Sequence, residues 1–272
     1  MDFFHFNDAP GKPILHVAHA NGFPPLTYRR FFKPLSQDFQ GLAFPARPLW
    51  PGSDWRLLKN WSMMADDLLA ALKPLAPVVG WGHSLGAVLT LYAALREPWI
   101  FTRIVLVDPT LLPPGTLFKA WWMRLVGMEF REGLVRAALR RRRHWASREE
   151  ALAGYRDKPL FKNWPADVLE DYLSSMTAPD PQGGWSLVYP PEWEAQIYQT
   201  IPTDIWKDVA GLKVPSLVIR GGDSNTFTAQ SEAAFRRRSP QTLFETVAGA
   251  GHLVPHEKPE ETAALTLRFL KA

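Results

Sequence analysis

Cysteine is absent from the 272 residues, which excludes disulfides and thiol chemistry while leaving the redox compartment open. No stretch of about eighteen apolar residues occurs, so no membrane span is expected. The opening segment, MDFFHFNDAPGKP, lacks a basic stretch followed by an apolar one. No secretory signal is expected there, and the cytoplasm is the default location. The chain also lacks internal repeats, and its one low-complexity feature is the arginine run at 140–143. Basic residues gather in RAALRRRRHW (136–145) and FRRRSP (235–240) without alternating with aromatics, and the net charge is only +4. No nucleic-acid partner is expected from that pattern.

What is present reads as an ordinary globular chain. Hydrophobic residues make up 46% and charged residues 21%, enough apolar material for one large domain, or for a domain carrying an insertion. Short apolar runs bounded by proline or glycine, PILHVAHA (13–20), PVVGWG (77–82) and RIVLVDP (103–109), have the character of strands buried on both faces. MMADDLLAALKPL (63–75) carries apolar residues at helical spacing. The same style returns at KVPSLVIRGGD (213–223), LFETVAGAGH (243–252) and a final helix in PEETAALTLRFLKA (259–272). Strands alternating with helices predict an α/β fold with a mainly parallel central sheet flanked by helices. Residues 111–205 break the rhythm. They hold helical segments, and seven of the twelve tryptophans fall between 121 and 206. The expected organisation is a core of 1–110 and 206–272 with a helical cap, 111–205, inserted in it.

The stretch with most chemistry in it is VVGWGHSLGAVLTLYAAL (78–95), where Gly82-His83-Ser84-Leu85-Gly86 spells G-x-S-x-G between an expected strand and an expected helix. A sharp strand-to-helix turn strains the serine backbone and lifts its hydroxyl clear of the sheet, and glycines two residues away on either side avoid collisions. The helix that follows aims free N–H groups at developing negative charge. Ser84 is therefore the candidate nucleophile, and the Leu85 amide a candidate donor to an oxyanion. A serine needs a base, and His252 in its glycine-rich turn is the first candidate. His256 lies four residues on, but prolines at 255 and 259 interrupt any helix that would present both rings. No metal site is expected. His83 is expected to face into packing, and His16 and His19 belong to the early loop.

With the elbow GHSLG, the early loop HVAHANGFPP, the late RGGDSNTF and the C-terminal GAGHLVPHEKPEE, nearly the whole chain resembles the α/β-hydrolase superfamily, and within it the capped esterase- and lipase-like serine hydrolases. The resemblance implies the α/β-hydrolase fold, the order Ser, acid, His, and the histidine of that family at His252. It also implies a second oxyanion donor in the early loop, the amide of Asn21 as first choice or, two residues on, that of Phe23. The acid departs from pattern. Its usual register, three residues past Gly221, is occupied by Ser224, with Asp223 before it. A second location known in the superfamily, at the end of the strand after the elbow helix, holds Asp108. Asp108 is the first choice and Asp223 the alternative.

The activity implied is cleavage of carboxylic esters through an acyl-enzyme, without a cofactor, on a small-molecule substrate with an apolar acyl or aromatic part. C–C bond hydrolysis of the meta-cleavage type, lactone hydrolysis and acyl transfer use the same triad. A non-catalytic protein of the same fold that binds a ligand is the reading from another class. The elbow serine argues against haloalkane dehalogenase and epoxide hydrolase chemistry, since those relatives attack with an aspartate. In the cap, Glu192 and Glu194 are expected to be solvated, with one of them facing the pocket as the alternative, and part of the 140–143 run must meet solvent or an acidic partner.

Overall fold

A computed structural model of the chain describes residues 2–116, 122–123 and 132–272. Seven strands form the main sheet: β1 (Phe4–His5), β2 (Ile14–Ala18), β3 (Gln40–Ala43), β4 (Val78–His83), β5 (Phe101–Val107), β9 (Ser216–Gly221) and β10 (Leu243–Val247). Their spatial order is β1-β3-β2-β4-β5-β9-β10. The ladder is parallel throughout except for β1, which runs antiparallel against β3 at the edge.

Period-two alternation explains why the central strands read as continuous apolar runs. Successive side chains point to opposite faces, and here both faces are covered. Ile104 and Leu106 of β5 join one core layer together with helices Ser62–Leu72 and Leu85–Arg96. Val105 and Val107, their neighbours in sequence, join the other layer with Phe31, Phe32, Ala263 and Phe269. Trp81 of β4 anchors that second layer, stacked on Phe31 with ring centroids 4.3 Å apart. Each fully buried side chain of this size contributes about 1.5–3 kcal/mol relative to exposure, so burial on both faces holds the sheet centre in place. The helix expected over 63–75 runs Ser62–Leu72 and tightens into a 3-10 turn, Lys73–Leu75, at Pro74. His16, expected in a loop, lies on β2.

Between β5 and β9 the chain leaves the sheet. Its described part contains the helices Glu132–Leu139, Arg148–Arg156, Ala166–Met176 and Pro191–Gln199. It also contains a feature the sequence does not announce, a three-stranded antiparallel sheet of β6 (His144–Trp145), β7 (Thr177–Pro179) and β8 (Trp185–Leu187) in the order β6-β8-β7. The helical reading of 117–121 and 124–131 lies outside the described residues. Tryptophans fasten this segment to the rest. Trp193 Nε1 donates to Ser53 Oγ (3.1 Å), Trp206 Nε1 to the Leu112 carbonyl (2.8 Å), and Trp61 Nε1 reaches across to the Ile197 carbonyl (3.0 Å). Among the described residues no helix is long and apolar enough to cross a membrane.

Candidate active site

Ser84 stands between β4 and the helix Leu85–Arg96 with φ 56° and ψ −113°. A non-glycine residue held there stores about 1–3 kcal/mol of strain and persists only where its surroundings over-determine it. They do here. The Ser84 N–H donates to the Val107 carbonyl at 3.0 Å, and its own carbonyl accepts from Val88 at 3.3 Å. The flanking glycines are required by close approach. A Cβ on Gly82 would collide with the Gly86 carbonyl, and one on Gly86 with the Ala18 carbonyl at the end of β2. Among the described residues the Leu85 amide has no acceptor, as the first N–H groups of a helix have none within it.

Three distant segments meet at the serine. His252 Nε2 lies 2.9 Å from Ser84 Oγ, and His252 Nδ1 lies 2.7 Å from Asp108 Oδ1. A carboxylate only accepts, so Nδ1 carries the ring proton and Nε2 is left to accept from the serine. Asp108 directly follows β5, has φ 40°, and is wholly buried. Burial of a carboxylate is tolerable only with donors. Beyond the ring it receives Ser224 Oγ–H at 2.6 Å, Gly221 N–H at 2.9 Å and Phe227 N–H at 3.4 Å. Asp223, the alternative acid, is exposed and makes no bond to His252; its amide donates to the Ala250 carbonyl at 2.9 Å. Ser224, in the register where the acid is usual, contributes its hydroxyl to Asp108 instead.

The early loop spends its amides selectively. Ala20 N–H donates to Tyr28 Oη (2.9 Å), and Phe23 N–H to the Ala20 carbonyl (3.2 Å). The Gly22 backbone bonds Tyr189. That leaves Asn21, whose amide has no acceptor among the described residues. The same peptide plane is fixed from its other side. His19 Nε2 accepts from Ala46 N–H at 3.0 Å, so His19 Nδ1 donates to the Ala20 carbonyl at 2.9 Å. Because the peptide is planar and trans, pinning that oxygen aims the Asn21 N–H the opposite way.

The family model described as "Alpha/beta hydrolase family" matches residues 14–265, nearly the whole chain. The chain belongs to the alpha/beta hydrolase family. It is 25% identical over 223 residues to the abhydrolase domain-containing protein ACTT2 of Alternaria alternata, covering 69% of this chain and 80% of that one. It is 26% identical over 215 residues to an sn-1-specific diacylglycerol lipase of Mus musculus, covering 78% of this chain and 65% of that one. Among solved structures it superposes on an E-2-(acetamidomethylene)succinate hydrolase with a TM-score of 0.79 at 21% identity, covering 99% of this chain and 94% of that one. At that identity the likeness shows the fold.

Around Ser84, His252 and Asp108 of this alpha/beta hydrolase lie further polar side chains. Tyr28 Oη and His83 Nδ1 are 2.9 Å apart, and His83 Nε2 is 3.0 Å from the His252 carbonyl. His83 donates to that carbonyl and accepts from Tyr28, so one run of bonds connects the Ala20 amide, the elbow and the His252 backbone. Burial, and then the neighbouring His252 and His256 rings, hold the His83 pKa far below 6.5, which keeps the ring neutral. His256 directs Nε2 to Thr27 Oγ1 (3.2 Å) and stacks on Trp164 at 4.7 Å. Ser84 Oγ has a second neighbour, Thr110 Oγ1, at 3.0 Å. The hydroxyl of Tyr28 carries no linear signal; the DPT spelling of 108–110 ties Thr110, and the register past Gly221 ties Ser224, to a candidate acid.

The segment between β5 and β9 presses on the early loop. Asn21 Oδ1 accepts from Tyr189 Oη (2.9 Å), and Asn21 Nδ2 donates to the Glu194 carbonyl (3.1 Å). Glu194, expected in solvent, is instead buried against Arg141 with a 2.5 Å ion pair, side-chain exposures being 12% and 15%. The correction has a physical reason: Arg141 needs a counter-charge when buried, and it finds Glu194 together with the hydroxyls of Tyr155 (3.1 Å) and Tyr172 (2.8 Å). Burial opposes the charge, yet Tyr172, Glu194 and Tyr155 together raise the Arg141 pKa above its ordinary value. Arg142 and Arg143 pair with Glu150 and Glu192, both at 2.6 Å, nearer the surface.

Proposed function

We propose that this protein is a serine hydrolase that cleaves carboxylic esters through an acyl-enzyme. The observation carrying the reading is the unbroken run Ser84 Oγ, His252, Asp108, with separations of 2.9 and 2.7 Å. In this reading Ser84 attacks the ester carbonyl while His252 Nε2 takes its proton, and the ring returns that proton to the departing alcohol. Asp108 holds the ring in the tautomer with Nε2 bare and stabilises the imidazolium that forms. The unpartnered amides of Leu85 and Asn21 receive the charge on the carbonyl oxygen; loss of one such donor typically costs about 2.7–4 kcal/mol of transition-state stabilisation. Water then repeats the sequence on the acyl-enzyme.

The segment between β5 and β9 acts as a cap in this proposal. Trp164 and Tyr172 stand 6.0 and 5.5 Å from Phe23 on the early loop, an aromatic surrounding that supports an apolar acyl or aromatic substrate. The lipase among the relatives supports ester chemistry. A fluorophosphonate probe tests the reading: the folded protein is expected to be labelled, and Ser84→Ala to lose the label. Absence of labelling in the folded wild type would favour a ligand-binding protein. A panel of p-nitrophenyl esters of increasing chain length, run beside a meta-cleavage product, separates ester from C–C cleavage.

A further inference from the structure

Proton accounting at Ser84 leads past the triad. Asp108 accepts from His252 Nδ1, so Nε2 accepts the single proton of the Ser84 hydroxyl. In the 3.0 Å contact between Ser84 Oγ and Thr110 Oγ1, Thr110 must then be the donor. Thr110 is nearly buried, at 7% exposure, and its amide also faces Ser84, donating to the Ser84 carbonyl at 3.4 Å. The turn Asp108-Pro109-Thr110 thus serves both ends of the triad, giving a carboxylate to the ring and a hydroxyl proton to the nucleophilic oxygen.

We propose that Thr110 is a further catalytic residue whose hydroxyl assists departure of Ser84 Oγ from the acyl-enzyme; this rests on the serine-hydrolase reading above. In the acyl-enzyme Oγ is an ester oxygen that shares its lone pair with the carbonyl and accepts a hydrogen bond weakly. Water adds to the acyl carbon and passes a proton to His252 Nε2. The bond between acyl carbon and Oγ then breaks, its electron pair moves to Oγ, and Oγ takes the proton back from His252 as the acid is released. Charge grows on Oγ along that path, so the Thr110 bond strengthens between ground state and transition state and accelerates the step. Acylation starts from a free serine hydroxyl that already accepts the same bond well, so its gain is smaller. The asymmetry separates this role from simple positioning of the serine, which would slow both halves.

Stopped-flow turnover of p-nitrophenyl acetate resolves the two halves, the burst reporting acylation and the steady state deacylation. In Thr110→Val, deacylation is expected to fall about tenfold, the size of one hydrogen bond to a charged oxygen, while the burst rate stays within about twofold. Accordingly kcat and KM fall together and kcat/KM is preserved. Thr110→Ser restores the wild-type rate, and Thr110→Ala supplies the same loss should the valine variant fold poorly. Equal losses in both phases, a fall in kcat/KM matching that in kcat, or unchanged deacylation would each overturn the role of Thr110 while leaving the hydrolase reading intact. A wild type that forms no covalent serine adduct would overturn the reading itself, and this proposal with it.

Discussion

The turns that follow β5 and β9 offer the same side chain to opposite fates. Asp108 sits at the end of a central strand with no exposure and is given four donors from the chain around it. Asp223 comes two residues after the end of β9 and faces water, and among the described residues only its backbone is engaged. An aspartate therefore matters through the donors converging on it and the ring it can reach. The second turn still takes part, but through Ser224, a neutral donor placed where a carboxylate is usual.

The sharpest way to break this contrast is to neutralise Asp108. Asp108→Asn is expected to lower kcat by about four orders of magnitude, since an amide can hold the ring in the wrong tautomer; steady-state ester hydrolysis measures it. A loss no larger than that of Asp223→Asn would remove the asymmetry altogether. Ser224→Ala comes next. It deletes a charge-assisted bond to the carboxylate, and a ten- to hundredfold fall in kcat is expected with KM little changed. An unaffected kcat would confine the second turn to a structural part.

The same lesson extends to histidine and to pH. His252 has a carboxylate within reach, whereas among the described residues buried His16, His19 and His256 have none bonded to them. Burial, reinforced by His19, lowers the pKa of His16 to about 3; burial lowers His19 to about 4; burial, reinforced by His252, lowers His256 to about 3. These rings are neutral in the fold, so between 6.5 and those values the unfolded chain binds more protons. Stability is complete above pH 6.5 and drains as the pH falls toward 3, by roughly 1–2 kcal/mol per ring at pH 5. Urea unfolding at pH 7 and pH 5 measures the loss, and His256→Gln should shallow it. A midpoint independent of pH would mean these rings find charge partners. The smallest effect belongs to Asp223→Asn, expected within about 0.5 kcal/mol in thermal unfolding and about twofold in rate, as for an exposed side chain without partners.

Legibility followed the strength of local physics. The strand, turn and helix around Ser84 could be read because apolar runs, paired glycines and a serine must coincide there for steric reasons. β1 and β3 escaped because they are two and four residues long, too short for alternation to show. The small sheet β6-β8-β7 escaped likewise. Glu194 reads as solvated from its own charge alone, because the deciding partner, Arg141, lies 53 residues away in sequence. In the sequence Asn21 is the first choice, and Phe23 stays the alternative for a similar reason. Which amide is committed depends on Tyr28, Tyr189 and the Ala20 carbonyl, all fixed by folding. Thr110 and Ser224 show the limit most plainly, since a hydroxyl gains meaning only from the atom it ends up facing.

The Asn21 side chain is tethered at both ends to the segment that covers it, through Tyr189 and the Glu194 carbonyl. Lifting the helix Pro191–Gln199 away from the sheet would release that tether and leave the Asn21 side chain beside Ser84 without these two bonds. If the proposed hydrolase admits its substrate by moving that helix, the same movement would loosen the Asn21 side chain next to Ser84.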